Sequence, residues 1–150
     1  MTKLTELAEL ERLQHNRGLI EDPAAYAREA GAASWLYLCG EAFAEMDGGM
    51  SYRDVEAAVG TSAVVVSDPP VEMTMGLARE QIAALDALPR PTLVTCRTGP
   101  RSSALVYLYA GLKAGASLDE VVARAEADNA PWVASDELKA WVGQALRELT

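Results

Sequence analysis

Histidine occurs once in this chain of 150 residues, cysteine twice and phenylalanine once. One histidine and two distant cysteines cannot ligate a metal tetrahedrally unless carboxylates supply most of the set, so neither a metal nor another cofactor is expected. His15 closes a charged, helix-like opening stretch and reads as a solvent-facing side chain. The commonest general base is therefore missing, and any catalysis must rest on a nucleophile that works without histidine. Cys39 and Cys96 allow at most one disulfide, and in a reducing compartment such residues are more often buried apolar groups or reactive thiols. Cys39 follows the apolar run Trp35-Leu36-Tyr37-Leu38 and reads as core, with a resolving thiol for Cys96 as its alternative role.

Basic residues are also scarce. Lysine and arginine total 13 against 22 aspartates and glutamates, a formal net charge of −9. Such a balance excludes a basic face for nucleic acid and keeps a soluble protein apart from its neighbours. An anionic substrate would then need a local cluster of arginines to overcome the background. No long hydrophobic run exists: the most apolar stretch, residues 103–112, falls far short of the ~20 residues a membrane span requires. Charges run through Glu11 without a signal-peptide core. A cytoplasmic protein of one domain, 1–150, with neither membrane nor nucleic acid as partner, is the expectation.

Half of the composition is hydrophobic, built mainly from 27 Ala, 18 Leu and 12 Val. Ala and Leu favour helix, and a small valine-built sheet is the natural complement. Leu4, Leu7, Leu10 and Leu13 form one stripe of an opening amphipathic helix. Asp22-Pro23 is an N-cap followed by proline at the first helical position, starting a second helix that stops at Gly31. Residues 35–39, 63–66 and 92–95 read as three short strands. Helices are expected from Ser51 with a capping pair at Asp54, over 74–88, and over 101–113 with Leu105, Leu108 and Leu112 on one face. Two more follow, from the Ser117-x-x-Glu120 capping box and from Ser135-Asp136 to about Leu149. Strands alternating with helices imply an α/β fold, helix-rich, with a short and mostly parallel sheet flanked by helices. Ligands of such sheets sit beyond the carboxyl ends of the strands.

At that position, after the last expected strand, stands Cys96-Arg97-Thr98-Gly99-Pro100-Arg101-Ser102, followed at once by a helix. Backbone amides of such a loop converge above the sulfur, the helix N-terminus adds positive potential, and two arginines add formal charge. These effects favour thiolate over thiol and mark Cys96 as a nucleophile. Gly99 opens backbone conformations closed to residues with a Cβ, whereas Pro100 removes one amide from the cradle.

This loop resembles the active-site loop of the rhodanese and cysteine-phosphatase superfamily. Residues 91–103, Pro-Thr-Leu-Val-Thr-Cys-Arg-Thr-Gly-Pro-Arg-Ser-Ser, are similar to the phosphatase-like domain of the beta-lactamase-hydrolase-like family. The following segment, with Gly115-Ala116-Ser117 and Asp119-Glu120, resembles the helices after the loop in that family and in dual-specificity phosphatases. The resemblance spans about residues 63–129, leaving the first 60 unplaced. It implies Cys96 as nucleophile, Arg101 as oxyanion clamp, the backbone of residues 97–102 as cradle, Ser102 as hydrogen-bond partner of the sulfur, and Arg97 as a second charge. Asp68 precedes Cys96 by 28 positions, a distance comparable to that of the general acid in dual-specificity phosphatases; as a bare sequence, Asp68-Pro69-Pro70 also reads as a turn.

Two departures shape the functional expectation. Cysteine phosphatases resemble C-x5-R, but only four residues separate Cys96 from Arg101, and Thr95 stands where those enzymes usually carry histidine. A tighter ring should suit a persulfide better than a tetrahedral phosphoryl group. The first expectation is a sulfurtransferase passing sulfane sulfur through a Cys96 persulfide to a thiol acceptor. The second is a protein-tyrosine or dual-specificity type phosphatase working through a phosphocysteine, with Asp68 as acid. The third is a non-catalytic module that binds an anion or senses oxidants. A small anionic sulfur or phosphate compound is the expected partner of either enzyme.

Overall fold

The computed structural model describes residues 6–149. A single turn of 3-10 helix, Ala8–Arg12, leads into β1 (Leu13–His15). Then follow α1 (Pro23–Ala30), β2 (Ser34–Tyr37), α2 (Glu41–Ala44), α3 (Tyr52–Ala58), β3 (Thr61–Val64), α4 (Met75–Ala87), β4 (Thr92–Thr95), α5 (Pro100–Ala114), α6 (Leu118–Ala127) and α7 (Asp136–Glu148). The sheet has the order β1-β4-β2-β3, and every pair is parallel.

The local signals act as their chemistry requires. The Asp22 side chain accepts from the Ala25 amide, and Gly31 ends α1 in the left-handed region at φ 63°. Both capping boxes form, Ser51 with Asp54 and Ser117 with Glu120. The opening helix does not. Leu4 lies outside the described residues, and Leu13 enters a strand instead, its register partner being Thr92. Three residues are too few for a period-2 signal, so the leucine spacing reads as helix although sheet pairing wins. The valine strand is displaced as well: the ladder covers Thr61–Val64, while the Val65 and Ser67 amides still bond to the Tyr37 and Leu38 carbonyls, keeping the chain extended to residue 67.

Helix α5 is not amphipathic in the way its leucine stripe suggests. Every residue from Ser102 to Gly111 is buried, because the helix packs on the sheet, on the opening 3-10 turn and on α6 and α7 together. A Cβ at Gly111 would press on Val121 and Leu146, which is how closely α6 and α7 approach it. This central helix is the rigid post whose first turn forms the floor of the site. Among the described residues no helix is long and apolar enough to cross a membrane.

Candidate active site

Cys96 follows β4 immediately and is 8% exposed. Its sulfur receives the Gly99 amide at 3.1 Å and the Ser102 amide at 3.3 Å, and the Ser102 hydroxyl lies 3.3 Å away. Two amide hydrogens therefore face the sulfur, while the Ser102 hydroxyl gives its proton to Asn16 Oδ1 at 2.8 Å and accepts from the thiol. The amides of Arg97, Thr98 and Arg101 have no acceptor among the described residues, leaving donors for an anion placed over the sulfur. Gly99 makes this possible. Its φ is +118°, and a Cβ there would collide with the Asn16 carbonyl oxygen. Pro100 occupies the first position of α5, where its missing amide breaks no helical bond.

Above the sulfur opens a cavity of ≈ 180 Å³ whose wall includes Asp68, Arg97, Thr98, Pro100 and Arg101. The Asp68 carboxylate is 5% exposed and meets the Arg97 guanidinium twice, Nε to Oδ1 at 2.6 Å and Nη2 to Oδ2 at 2.8 Å. The Gly40 amide reaches the same Oδ2 at 3.4 Å. Hydrogen bonding to Asp68 raises the Arg97 pKa above its usual value, so the guanidinium stays charged. Its face also lies 5.7 Å from the centre of the Phe43 ring. Arg101 donates from Nη1 to the Ser67 carbonyl and, at 3.2 Å, to that of Val71. Both arginines thus grip the segment that carries Asp68. The structure brings Asp68 and the residues of the 96–102 loop to one place: six line the cavity or its floor, with Gly99 and Ser102 beneath, holding the sulfur. The turn reading of Asp68-Pro69-Pro70 misses what the carboxylate does, which is to pair with Arg97 inside the cavity.

Sequence reasoning missed Asn16. This side chain is 1% exposed. Its Oδ1 accepts from the Cys96 amide at 3.1 Å and from the Ser102 hydroxyl at 2.8 Å, and its Nδ2 donates to the Cys96 carbonyl at 2.9 Å and the Gly18 carbonyl at 3.0 Å. The Gly18 amide in turn donates to the Thr98 carbonyl at 2.8 Å. The turn after β1 therefore clamps the nucleophile loop from below, across a chain separation of 80 residues. An isolated asparagine two residues before a glycine has the composition of a turn, so no local signal marks it.

His15 is also misplaced by the sequence reading. It ends β1, half-buried, with Nδ1 3.0 Å from the Asn16 carbonyl and its ring 6.2 Å from that of Tyr107. The carbonyl accepts, so the proton sits on Nδ1. Burial pushes the imidazole pKa below its usual 6.5, ahead of the opposing hydrogen bond to Asn16. Since the folded state resists the proton more than the unfolded chain, this residue's contribution is complete above pH ~6.5 and is lost as pH falls through the lowered folded value. Proton NMR of the sole imidazole should accordingly show a C2–H midpoint below ~6.5. A midpoint at or above that value contradicts the buried placement.

Cys39 opens into a different cavity, lined also by Tyr37, Tyr52, Val64 and Val66. Burial first, and then the charge of Asp68, push its thiol up to about 12. It is a protonated thiol at neutral pH, unlike a resolving cysteine poised to attack.

No family model matches the chain, and no curated protein does. Solved structures do. A candidate phosphatase from Neisseria meningitidis Z2491 aligns with TM-score 0.68 and 17% identity, over 97% of this chain and 99% of that one. Tk-PTP in its active form aligns with TM-score 0.64 and 17% identity, over 91% and 92%. The core catalytic domain of the PP-IP phosphatase SIW14 from S. cerevisiae, solved with citrate, aligns with TM-score 0.62 and 14% identity, over 94% and 82%. The chain shares the fold of these structures over more than nine-tenths of its length.

Proposed function

We propose that the chain is a cysteine phosphatase acting on a phosphate monoester through a phosphocysteine at Cys96. The observation that carries this reading is the convergence of Gly99 and Ser102 donors on the Cys96 sulfur, at the floor of a cavity whose wall holds two guanidinium groups and a carboxylate. In the first step the Cys96 thiolate attacks phosphorus; a sulfur–phosphorus bond forms and the phosphorus–oxygen ester bond breaks, the electron pair leaving with the alcohol oxygen. The Asp68 carboxyl gives that oxygen its proton. In the second step the Asp68 carboxylate takes a proton from water as the water oxygen attacks phosphorus, and the sulfur leaves as thiolate onto the Gly99 and Ser102 amides. The free loop amides bear the charge that builds on the phosphoryl oxygens, and Arg97 and Arg101 join them once they exchange their bonds to Asp68 and to the Ser67 and Val71 carbonyls for the phosphoryl group.

The resting pair of Asp68 with Arg97 fits this sequence if the incoming phosphoryl group draws Arg97 onto its own oxygens and frees the carboxyl. Sulfur transfer, the first expectation from the short Cys96–Arg101 spacing, has weaker support. A sulfane donor leaves without protonation and has no use for Asp68. The cavity also exceeds what a single sulfur fills, and the fold neighbours are phosphatases by description.

Steady-state hydrolysis with two leaving groups tests the role of Asp68. Asp68→Asn should lower kcat by about 10²-fold for an alkyl phosphate, whose leaving oxygen needs a proton, and markedly less for p-nitrophenyl phosphate. An equal loss with both substrates would mean that Asp68 serves only to hold Arg97.

A further inference from the structure

The chemistry above leaves unused the larger cavity that Cys39 lines, and its position and lining point to what surrounds the phosphoryl group. It measures ≈ 460 Å³ and opens at the same end of the sheet, between α2, the start of α3 and the end of β3. Gly40 in its wall donates to Asp68 in the wall of the catalytic cavity, and the chain runs from Val66 in one directly to Asp68 in the other. The two cavities therefore share the wall formed by Gly40 and the Asp68 segment.

The lining has two characters. Tyr37 and Tyr52 stack at 6.3 Å and form an aromatic wall, beside Val64 and Val66, which are 42% and 38% exposed. Met46 just beyond α2 and Val71 in the Asp68 segment are exposed too, so among the described residues four of the five exposed large apolar side chains belong to segments that frame the two cavities. The charged groups of the lining are Glu41 and Glu45, both exposed, and no cation accompanies them. An apolar trough ending in carboxylates matches a lysine or arginine side chain, whose stem packs on apolar surface while its head stays at the rim. The same carboxylates, within a chain of net charge −9, oppose a polyanion. The adjoining strand β3 is an edge of the sheet, along which an extended peptide can lie.

We propose that this cavity is a substrate subsite for a basic side chain, and that the substrate is a phosphorylated residue within a lysine- or arginine-bearing peptide segment. The proposal rests on the phosphatase reading of the Cys96 cavity and deepens it.

The test compares kcat/KM for two phosphotyrosine peptides that differ only in lysine against glutamate flanking the phosphoresidue. The p-nitrophenyl ester serves as control and inositol hexakisphosphate as the polyanionic alternative. The basic peptide should be preferred about tenfold, through KM, and less at high salt, as expected for two exposed charge pairs. The double substitution E41K/E45K, at exposed positions that the fold tolerates, should abolish or invert the preference. Equal kcat/KM for the two peptides, a preference unchanged in E41K/E45K, or faster phosphate release from inositol hexakisphosphate would each overturn the subsite while p-nitrophenyl phosphate is still hydrolysed. Loss of that control reaction in the unsubstituted protein would instead overturn the phosphatase reading, and the subsite with it.

Discussion

Replacing Cys96 by serine is expected to lower kcat for p-nitrophenyl phosphate by roughly 10⁴-fold or more and to leave the fold intact. A serine hydroxyl fills almost the same volume and still accepts from the Gly99 and Ser102 amides, so little packing changes. What disappears is the nucleophile. The surrounding donors can stabilise a sulfur anion, but they cannot ionise an alcohol at neutral pH, and no histidine stands beside position 96 to take its proton. His15, the sole histidine, is committed to the Asn16 carbonyl on the far side of the clamp. Circular dichroism and a thermal melt would establish that the variant is folded. Activity within tenfold of the unsubstituted protein would remove Cys96 from the chemistry.

Asn16→Ala is expected to be the most damaging substitution outside the loop itself, costing about 2–4 kcal/mol of stability. It removes an acceptor from the Cys96 amide and the Ser102 hydroxyl, and a donor from the Cys96 and Gly18 carbonyls, all in a place that water does not reach. The Ser102 hydroxyl has one proton and three neighbours competing for it: the Cys96 sulfur, the Asn16 oxygen and the Gly99 carbonyl at 3.1 Å. Losing Asn16 would let that proton turn elsewhere and free the loop to shift. The expected signature is a fall in kcat of about 10²-fold with little change in KM, together with an altered pH profile for alkylation of Cys96 by iodoacetamide. Asn16→Asp supplies a second reading, since it keeps the volume but turns a donor into an acceptor facing two carbonyls. A melting temperature and alkylation profile unchanged in both variants would contradict the clamp.

How much of this was legible beforehand follows from where the information lies along the chain. The nucleophile loop was readable because its whole chemistry is contiguous: thiol, flexible glycine, proline at the helix start and two arginines fall within seven residues. The capping residues were readable for the same reason. Asn16, in contrast, acts through contacts 80 residues away, and the sequence marks Asp68 only by its distance from Cys96, not by its pairing with Arg97. Strand β1 was hidden because three residues carry no period, and its leucines satisfied a helical template that sheet pairing overrode. The depth of α5 was hidden too, since alanine, serine and glycine on its other faces look indifferent until α6 and α7 close over them. The expectation of sulfur transfer rests on two departures, the four-residue spacing from Cys96 to Arg101 and Thr95 in place of histidine, read as suiting a persulfide better than a phosphoryl group. The folded loop keeps two amides aimed at the sulfur and leaves a cavity above it, while Arg101 turns outward to the Asp68 segment.

Rapid acid quench after mixing with p-nitrophenyl phosphate, followed by mass analysis of the peptide containing Cys96, tests the central claim most directly, with thiosulfate incubation run in parallel. The account predicts one phosphoryl group on Cys96 within the first turnover, absent from Cys96→Ser, and no sulfur gained from thiosulfate. A sulfur atom added to Cys96 by thiosulfate, with no phosphoryl adduct at any quench time, would contradict it.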